Sequence, residues 1–294
     1  MVGCPHGTSR SPREVVERPV GFGTAELIPD PGRPAGWTVA VDGVSQSYVD
    51  LADPKYLGVP YTGWIAQVLD RHWPRGSPVS AVHVGGGGCT LPRYLAATRP
   101  GSKQLVFELD RQLVDLVRAY LDLDDVPGLR IAVRDGRSGM AGVPDGTADL
   151  VVLDVFRGGA VVTDLATVEF LHEIARVLRS GGLYAANLWD AADLGFALRV
   201  VASAGVVFPH VLAFAEAGVL MKRRPGNVVI AASASDLPVA ELVEWATSTG
   251  NQVRCLTRTQ LTAVCGSAPP LTEADGPVGP VPSVLPWGRG SRFT

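Results

Sequence analysis

The sequence is poor in cysteine, has no strong excess of either charge, and contains no long apolar run. Its four cysteines, Cys4, Cys89, Cys255 and Cys265, show no C-x-x-C spacing. That argues against a zinc site or a disulfide framework and points to free thiols in a reducing cytoplasm. The 26 basic and 29 acidic residues leave a formal net charge of −3, so no global electrostatic pull draws the chain to nucleic acid or to an anionic membrane. No apolar run approaches the ~20 residues of a membrane span. Residues 1–19 hold no apolar core of the signal-peptide kind, so the chain is expected to be neither membrane-bound nor exported.

What is present is a globular composition: 294 residues with 46% hydrophobic content, enough for a substantial core. Residues 1–20 carry Gly, Pro, Ser, Arg and Glu without periodicity, and residues 267–294 are rich in Pro and Gly; both ends are expected as mobile tails. Within 21–60, alternating runs at 24–28, 37–41 and 45–49 are separated by Pro29-Asp30-Pro31-Gly32 and by Asp42-Gly43. These read as a small antiparallel sheet joined by tight turns. Trp64, Ile65, Val68 and Leu69 predict a helix over 61–69, which opens an α/β domain running to 266. There, apolar strands at 81–84, 104–109, 129–133, 150–153, 182–187, 206–213 and 227–232 alternate with helices, most clearly at 113–121, 168–178 and 194–204. The alternation implies parallel βαβ units. The last two strands lack a long helix between them and are expected to be antiparallel, with a further helix at 238–247.

The organising stretch is Val82 to Leu95. Gly85-Gly86-Gly87-Gly88 joins a buried strand to a helix whose first turn holds Pro92. Glycine frees this turn to take positive φ and to lie against a ligand. No G-K-[ST] follows, so the turn is not an ATP P-loop, and Thr90 stands where a dinucleotide fingerprint wants its third glycine. Parallel sheets bind ligands at the carboxyl ends of their strands, and three acids stand at such ends. Glu108 lies about 20 residues beyond the glycine turn, where a carboxylate takes both ribose hydroxyls of an adenosine. Asp135, before Gly136, is placed to accept from the exocyclic amine of adenine, and Asp154 sits at the cleft mouth after an apolar run. Asp110 reads as the N-cap of the next helix, and His83 and Cys89 as core residues without a catalytic role.

In residue type and order these elements resemble the spermidine synthase family, polyamine aminopropyltransferases built on the fold of S-adenosylmethionine-dependent methyltransferases. The resemblance spans roughly residues 39–232 and rests on Asp42-Gly43-Val44-Ser45-Gln46, Tyr61, the glycine loop, Glu108-Leu109-Asp110, Asp135-Gly136 and Leu153-Asp154. It implies a Rossmann-like methyltransferase fold with a mostly parallel sheet, helices on both faces and a final antiparallel strand, preceded by a small N-terminal β-domain. It also implies S-adenosylmethionine or its decarboxylated form as co-substrate, with no metal. The donor would be held by Gln46, Gly85, Gly86, Gly87, Gly88, Glu108, Asp135 and Gly136. Asp154 would help to deprotonate an attacking amine, with Tyr61 and Arg157 on the acceptor side. A homodimer is a further expectation, formed through the N-terminal sheet with Trp37 and Tyr48.

The departures from the family pattern cluster on one side. The family's Gly-Gly-Gly-Asp-Gly-Gly has Gly88 in place of its acid, Tyr-His-Glu becomes Tyr61-Thr62-Gly63, and Asp-x-x-Asp becomes Asp154-Val155-Phe156-Arg157. The adenosine half is kept while the half that would meet a dicationic diamine is dismantled. The expectation is therefore a cytoplasmic transferase moving an alkyl group of the aminopropyl type to a small-molecule acceptor other than a simple diamine. A neutral acceptor fits, as does an anionic one paired with Arg157. A methyltransferase, a true spermidine synthase and a catalytically silent adenosyl-ligand-binding protein are the competing readings.

Overall fold

The computed structural model describes residues 14–157, 160–250, 252–266 and 268–276. A four-stranded antiparallel sheet comes first: β1 (Val16–Val20), β2 (Gly23–Pro29), β3 (Gly36–Val41) and β4 (Val44–Asp50). Asp42 and Gly43 between β3 and β4 both have positive φ, 49° and 74°, the conformation a two-residue hairpin turn demands. β1 falls within the segment 1–20 expected as a tail. Its Glu17, Arg18 and Pro19 are exposed on the sheet edge, so no apolar alternation announces it.

After α1 (Pro60–His72) the chain runs through β5 (Ser80–Val84), α2 (Thr90–Thr98), β6 (Lys103–Glu108), α3 (Arg111–Tyr120), β7 (Leu129–Val133), α4 (Gly136–Met140) and β8 (Ala148–Leu153). Two short strands follow, β9 (Phe156–Arg157) and β10 (Ala160–Val161), then α5 (Val168–Val177), β11 (Leu178–Asp190), α6 (Gly195–Val207) and β12 (His210–Glu216). The described chain closes with α7 (Ala217–Leu220), β13 (Gly226–Ser233), α8 (Val239–Ser248), β14 (Val253–Leu256) and α9 (Arg258–Cys265).

The large sheet has the order β14-β12-β13-β11-β8-β5-β6-β7. β7, β6, β5, β8 and β11 are mutually parallel, while β13 runs antiparallel to both β11 and β12. Because β6 lies on one side of β5 and β8 on the other, the direction of winding reverses at β5, and a crevice opens at the carboxyl end of that strand. Helices α1 and α8 cover one face through Trp64, Ile65, Leu69 and Leu242. Helices α5 and α6 cover the other through Phe170, Ile174, Phe196 and Val200. The small sheet packs Ala25, Leu27, Trp37 and Val39 onto Leu113, Leu116 and Val117 of α3. Each such aliphatic side chain contributes about 1.5–3 kcal/mol on burial, which seats the small sheet beside the glycine turn.

Three expectations need correcting at the edges. The strand expected at 206–213 begins at His210, because α6 continues through Val207 and leaves Val206 exposed. β14, antiparallel to β12, and α9 fill the stretch before 266, where the sequence suggested no element. Residues 268–276 are docked on the body rather than free. Leu271 is buried, its N–H donates to Ser203 Oγ (2.7 Å), its carbonyl accepts from Val168 N (2.9 Å), and Asp275 pairs with Arg199. The rest of both expected tails, 1–13 and 277–294, lies outside the described residues. Among the described residues, no helix is long and apolar enough to cross a membrane, and no three His, Cys, Asp or Glu side chains group to hold a metal ion.

Candidate functional site

A cavity of about 340 Å³ opens at the carboxyl ends of β5, β6, β7 and β8, roofed by α1 and by the small sheet. Its floor is the glycine turn. The Gly85 N–H donates to the Phe107 carbonyl and the Asp154 N–H to the Val84 carbonyl, both at 2.9 Å, so β6 and β8 grip the turn from either side. Gly85 has φ +98°, and a Cβ there would stand 2.1 Å from the Asp154 carbonyl oxygen. Gly85→Ala is therefore expected to destabilise the fold by about 2–5 kcal/mol, from left-handed strain plus overpacking. Gly63→Ala makes the control, since a Cβ there meets no described atom within 4 Å and alanine favours the helix by about 0.5–1 kcal/mol. Denaturant titration of the two variants should move in opposite directions.

Gly86 and Gly87 line the cavity, and their N–H groups donate to Glu108 Oε2 at 2.8 and 3.4 Å. Glu108 Oε1 accepts from the Asp110 N–H (2.9 Å). The carboxylate at the end of β6 is thus fixed by backbone donors, with lone pairs left for a ligand. Asp110 caps α3 through Leu113 N, as expected, and its Oδ1 also accepts from Gly21 N, which ties the β1–β2 turn to the site. Asp135 lines the cavity and caps α4 through Ser138 N at 3.0 Å. At Gly136 a Cβ would lie 2.4 Å from Val84 Cγ1, so only glycine lets α4 start against β5. Gln46 also faces the cavity from β4, with its Nε2 donating to the Val44 carbonyl.

Asp154, directly after β8, lines the same cavity. Its Oδ2 accepts from the Tyr61 hydroxyl (2.8 Å) and its Oδ1 from Asn187 Nδ2 (3.0 Å). Burial pushes this carboxyl up to about 6, and the hydrogen bonds from Asn187 and Tyr61 hold it from rising further. Burial, together with the neighbouring Asp154 charge, raises the Tyr61 hydroxyl well above its ordinary value, so Tyr61 remains a donor. Tyr61 is delivered by the first turn of α1, which Pro60 starts and whose Trp64, Ile65 and Leu69 anchor it on the sheet. Asn187 in turn accepts from Asn227 Nδ2 (2.9 Å). Sequence reasoning missed both asparagines. The available signal was an amide ending the apolar run of β11, beside β8, the same logic that singled out the acids.

Gln46, Tyr61, Gly85, Gly86, Gly87, Glu108, Asp135, Gly136 and Asp154 thus converge on one cavity. Gly88 does not line it. Its N–H donates to Ser47 Oγ (2.8 Å), and a Cβ would press on Ser47 and on Val49, 2.9 Å away; the small sheet occupies the space a side chain here would need. For Arg157 the structure shows a backbone paired with Ala160, and its side chain lies outside the described residues. His83 is buried, bonds Gln104 and is pushed down to about 4 by burial, while burial pushes the Cys89 thiol up to about 12. Neither is poised for chemistry. Trp37 and Tyr48, expected to meet a second copy, are buried within the chain, and the Tyr48 hydroxyl donates to Asp30.

A glycine turn, a fixed carboxylate on the next strand and a parallel sheet with antiparallel β13 inserted between β11 and β12 match the methyltransferase-like class of Rossmann folds. Human methyltransferase-like protein 13, solved in complex with SAH, matches 66% of this chain and 90% of its own at a TM-score of 0.52 and 20% identity, a likeness of fold alone. Within that class the chain is spermidine-synthase-like. A probable spermidine synthase from Corynebacterium glutamicum superposes with a TM-score of 0.81 at 28% identity, covering 88% of this chain and 96% of that one. The chain is 24% identical over 145 residues to the polyamine aminopropyltransferase of Chromobacterium violaceum, which is 49% of this chain and 54% of that protein. With the enzyme of that name from Vibrio vulnificus it shares 29% over 119 residues, 40% of each. The chain spans about half the length of these curated relatives, or less. No protein-family model matches it.

Proposed function

We propose that this chain is a transferase that moves an aminopropyl group from decarboxylated S-adenosylmethionine to one amine of a small-molecule acceptor that is not a simple diamine. The observation that carries the reading is the Tyr61–Asp154–Asn187 cluster, set against a glycine turn whose amides hold Glu108. The acceptor amine attacks the aminopropyl carbon attached to sulfur. A C–N bond forms as the C–S bond breaks, the bonding pair leaves on sulfur, which becomes the neutral thioether of methylthioadenosine, and the ammonium so formed gives its proton to Asp154. A carboxyl at about 6 is largely ionised at neutral pH and close enough to it to exchange a proton readily.

The donor's nucleoside is held by Glu108 on the ribose and by Asp135-Gly136 on the base, with Gln46 and Gly85-Gly86-Gly87 along it. Glu108→Ala removes hydrogen bonds to a charged acceptor, each worth about 1.5–3 kcal/mol, and is expected to weaken methylthioadenosine binding at least about tenfold by calorimetry. Unchanged affinity would take Glu108 out of the site. The two free, buried thiols Cys89 and Cys255 are in keeping with a reducing, cytoplasmic setting.

The reaction itself is tested by incubating the protein with decarboxylated S-adenosylmethionine and a mixture of primary amines, followed by mass spectrometry. Methylthioadenosine together with an aminopropylated amine is the expected result. S-adenosylhomocysteine formed from S-adenosylmethionine would replace the reading with methyl transfer, and binding of either nucleoside with no product would replace it with a silent binder.

A further inference from the structure

We propose that Asn227 is a positioning residue that fixes which end of the Asn187 amide faces Asp154, and so sets the proton affinity of that carboxyl. The inference rests on the reading of Asp154 as proton acceptor. A carboxamide can present either its NH2 or its carbonyl oxygen to a neighbour. With the NH2 turned to Asp154, as here, the ionised carboxylate is favoured. Turned over, the carbonyl would favour the protonated acid. The choice is made at the far end, where Asn227 Nδ2 donates to Asn187 Oδ1 (2.9 Å) and obliges Asn187 to turn its Nδ2 to Asp154 Oδ1 (3.0 Å).

The backbone holds this arrangement firmly. Asn187 on β11 is opposite Val229 of β13, and Asn227 is opposite Trp189, so the two amides are diagonal neighbours on the sheet face that carries α1 and Tyr61. Asn187 is 1% exposed, with fully buried Ala185 and Ala186 preceding it. A buried amide forfeits a hydrogen bond if it turns away from its partners, which makes the orientation a two-state choice rather than a continuum. The other titratable groups of the cavity are Tyr61 from α1, His83 from β5, Glu108 from β6, Asp110 before α3, Asp135 after β7 and Asp42 from the β3–β4 turn. Of these, Tyr61 is hydrogen-bonded to Asp154 directly, and it does so at the other carboxylate oxygen, away from Asn187.

The test is a carboxyl titration by NMR of protein labelled with 13C at aspartate, with Asp154→Asn to assign the signal and no substrate present. Asn187→Leu is expected to raise the Asp154 midpoint by about one to two pH units, the loss of one hydrogen bond to a charged acceptor. Asn227→Leu, which never touches Asp154, is expected to raise it by about one unit as the Asn187 amide is freed to turn. Asn227→Ala, which removes the same donor with a smaller side chain and adds no charge, should raise it alike. It also serves if the leucine variant fails to fold. A midpoint unmoved in the folded Asn227 variants overturns the proposal. Because no substrate enters the titration, a protein that releases no methylthioadenosine would defeat the proposed reaction while leaving this result to stand or fall by itself.

Discussion

Asp154→Asn is expected to lower turnover by about 10²–10⁴-fold, the usual contribution of a positioned proton acceptor, while affinity for methylthioadenosine stays within about twofold. Asparagine keeps the shape, accepts from Asn187 through its carbonyl and can donate to the Tyr61 oxygen, so both neighbours stay satisfied. In the wild type, turnover should fall as the pH drops through about 6, where the carboxyl takes up its proton. Stability should change in the opposite sense to activity. Because the folded protein holds the Asp154 proton more tightly than the unfolded chain, the carboxylate stabilises the fold least above about 6, and stability is lost as the pH rises from the ordinary 3.8 through that value. Asp154→Asn is thus expected to gain about 1–3 kcal/mol at pH 7–8 and nothing near pH 4. A variant losing both activity and stability would make Asp154 a structural residue.

The second large effect concerns the acceptor. A diamine such as putrescine brings two ammonium groups into the cavity, and Asp154 answers one. Of the three acids that the family resemblance expects, the one at Gly88 falls outside the cavity lining, and for the other two this chain has Gly63 and Arg157; a Cβ at Gly63 would meet no described atom within 4 Å. An ammonium taken from water without a carboxylate forfeits about 1.5–3 kcal/mol per missing charged hydrogen bond, before its desolvation is counted. Two missing partners give about 3–6 kcal/mol, so kcat/KM for putrescine should lie about 10²–10⁴-fold below that of a well-matched single amine. The described walls near Asp154, Val152, Val155 and Phe156, suit an uncharged body on such an amine.

Much of this was legible in the chain because its physics is local or strongly periodic. β5 and β8 are buried almost throughout, so they read as bare apolar runs, and parallel strands must end on one edge, which is why Glu108, Asp135 and Asp154 fell together. β1 was not legible, because an edge strand with three exposed residues carries no apolar alternation. Nor was the docking of Leu271: one buried side chain anchors a segment whose proline content reads as a tail. The closure at Gly88 needs Ser47 and Val49 from a different sheet, a contact no local pattern encodes. Asn187 and Asn227 are neutral: the place of Asn187 after an apolar run was the one local sign, and neither charge nor spacing marks Asn227.

Whether an adenosine half is kept while a diamine half is lost can be read from initial rates measured with decarboxylated S-adenosylmethionine. Putrescine and a panel of single amines would be compared at matched concentration, with methylthioadenosine and the aminopropylated product quantified together. Product is expected from at least one single amine, with little or none from putrescine. Turnover of putrescine at the ~1–10³ s⁻¹ usual for an enzyme on its own substrate would contradict it and make this an ordinary spermidine synthase.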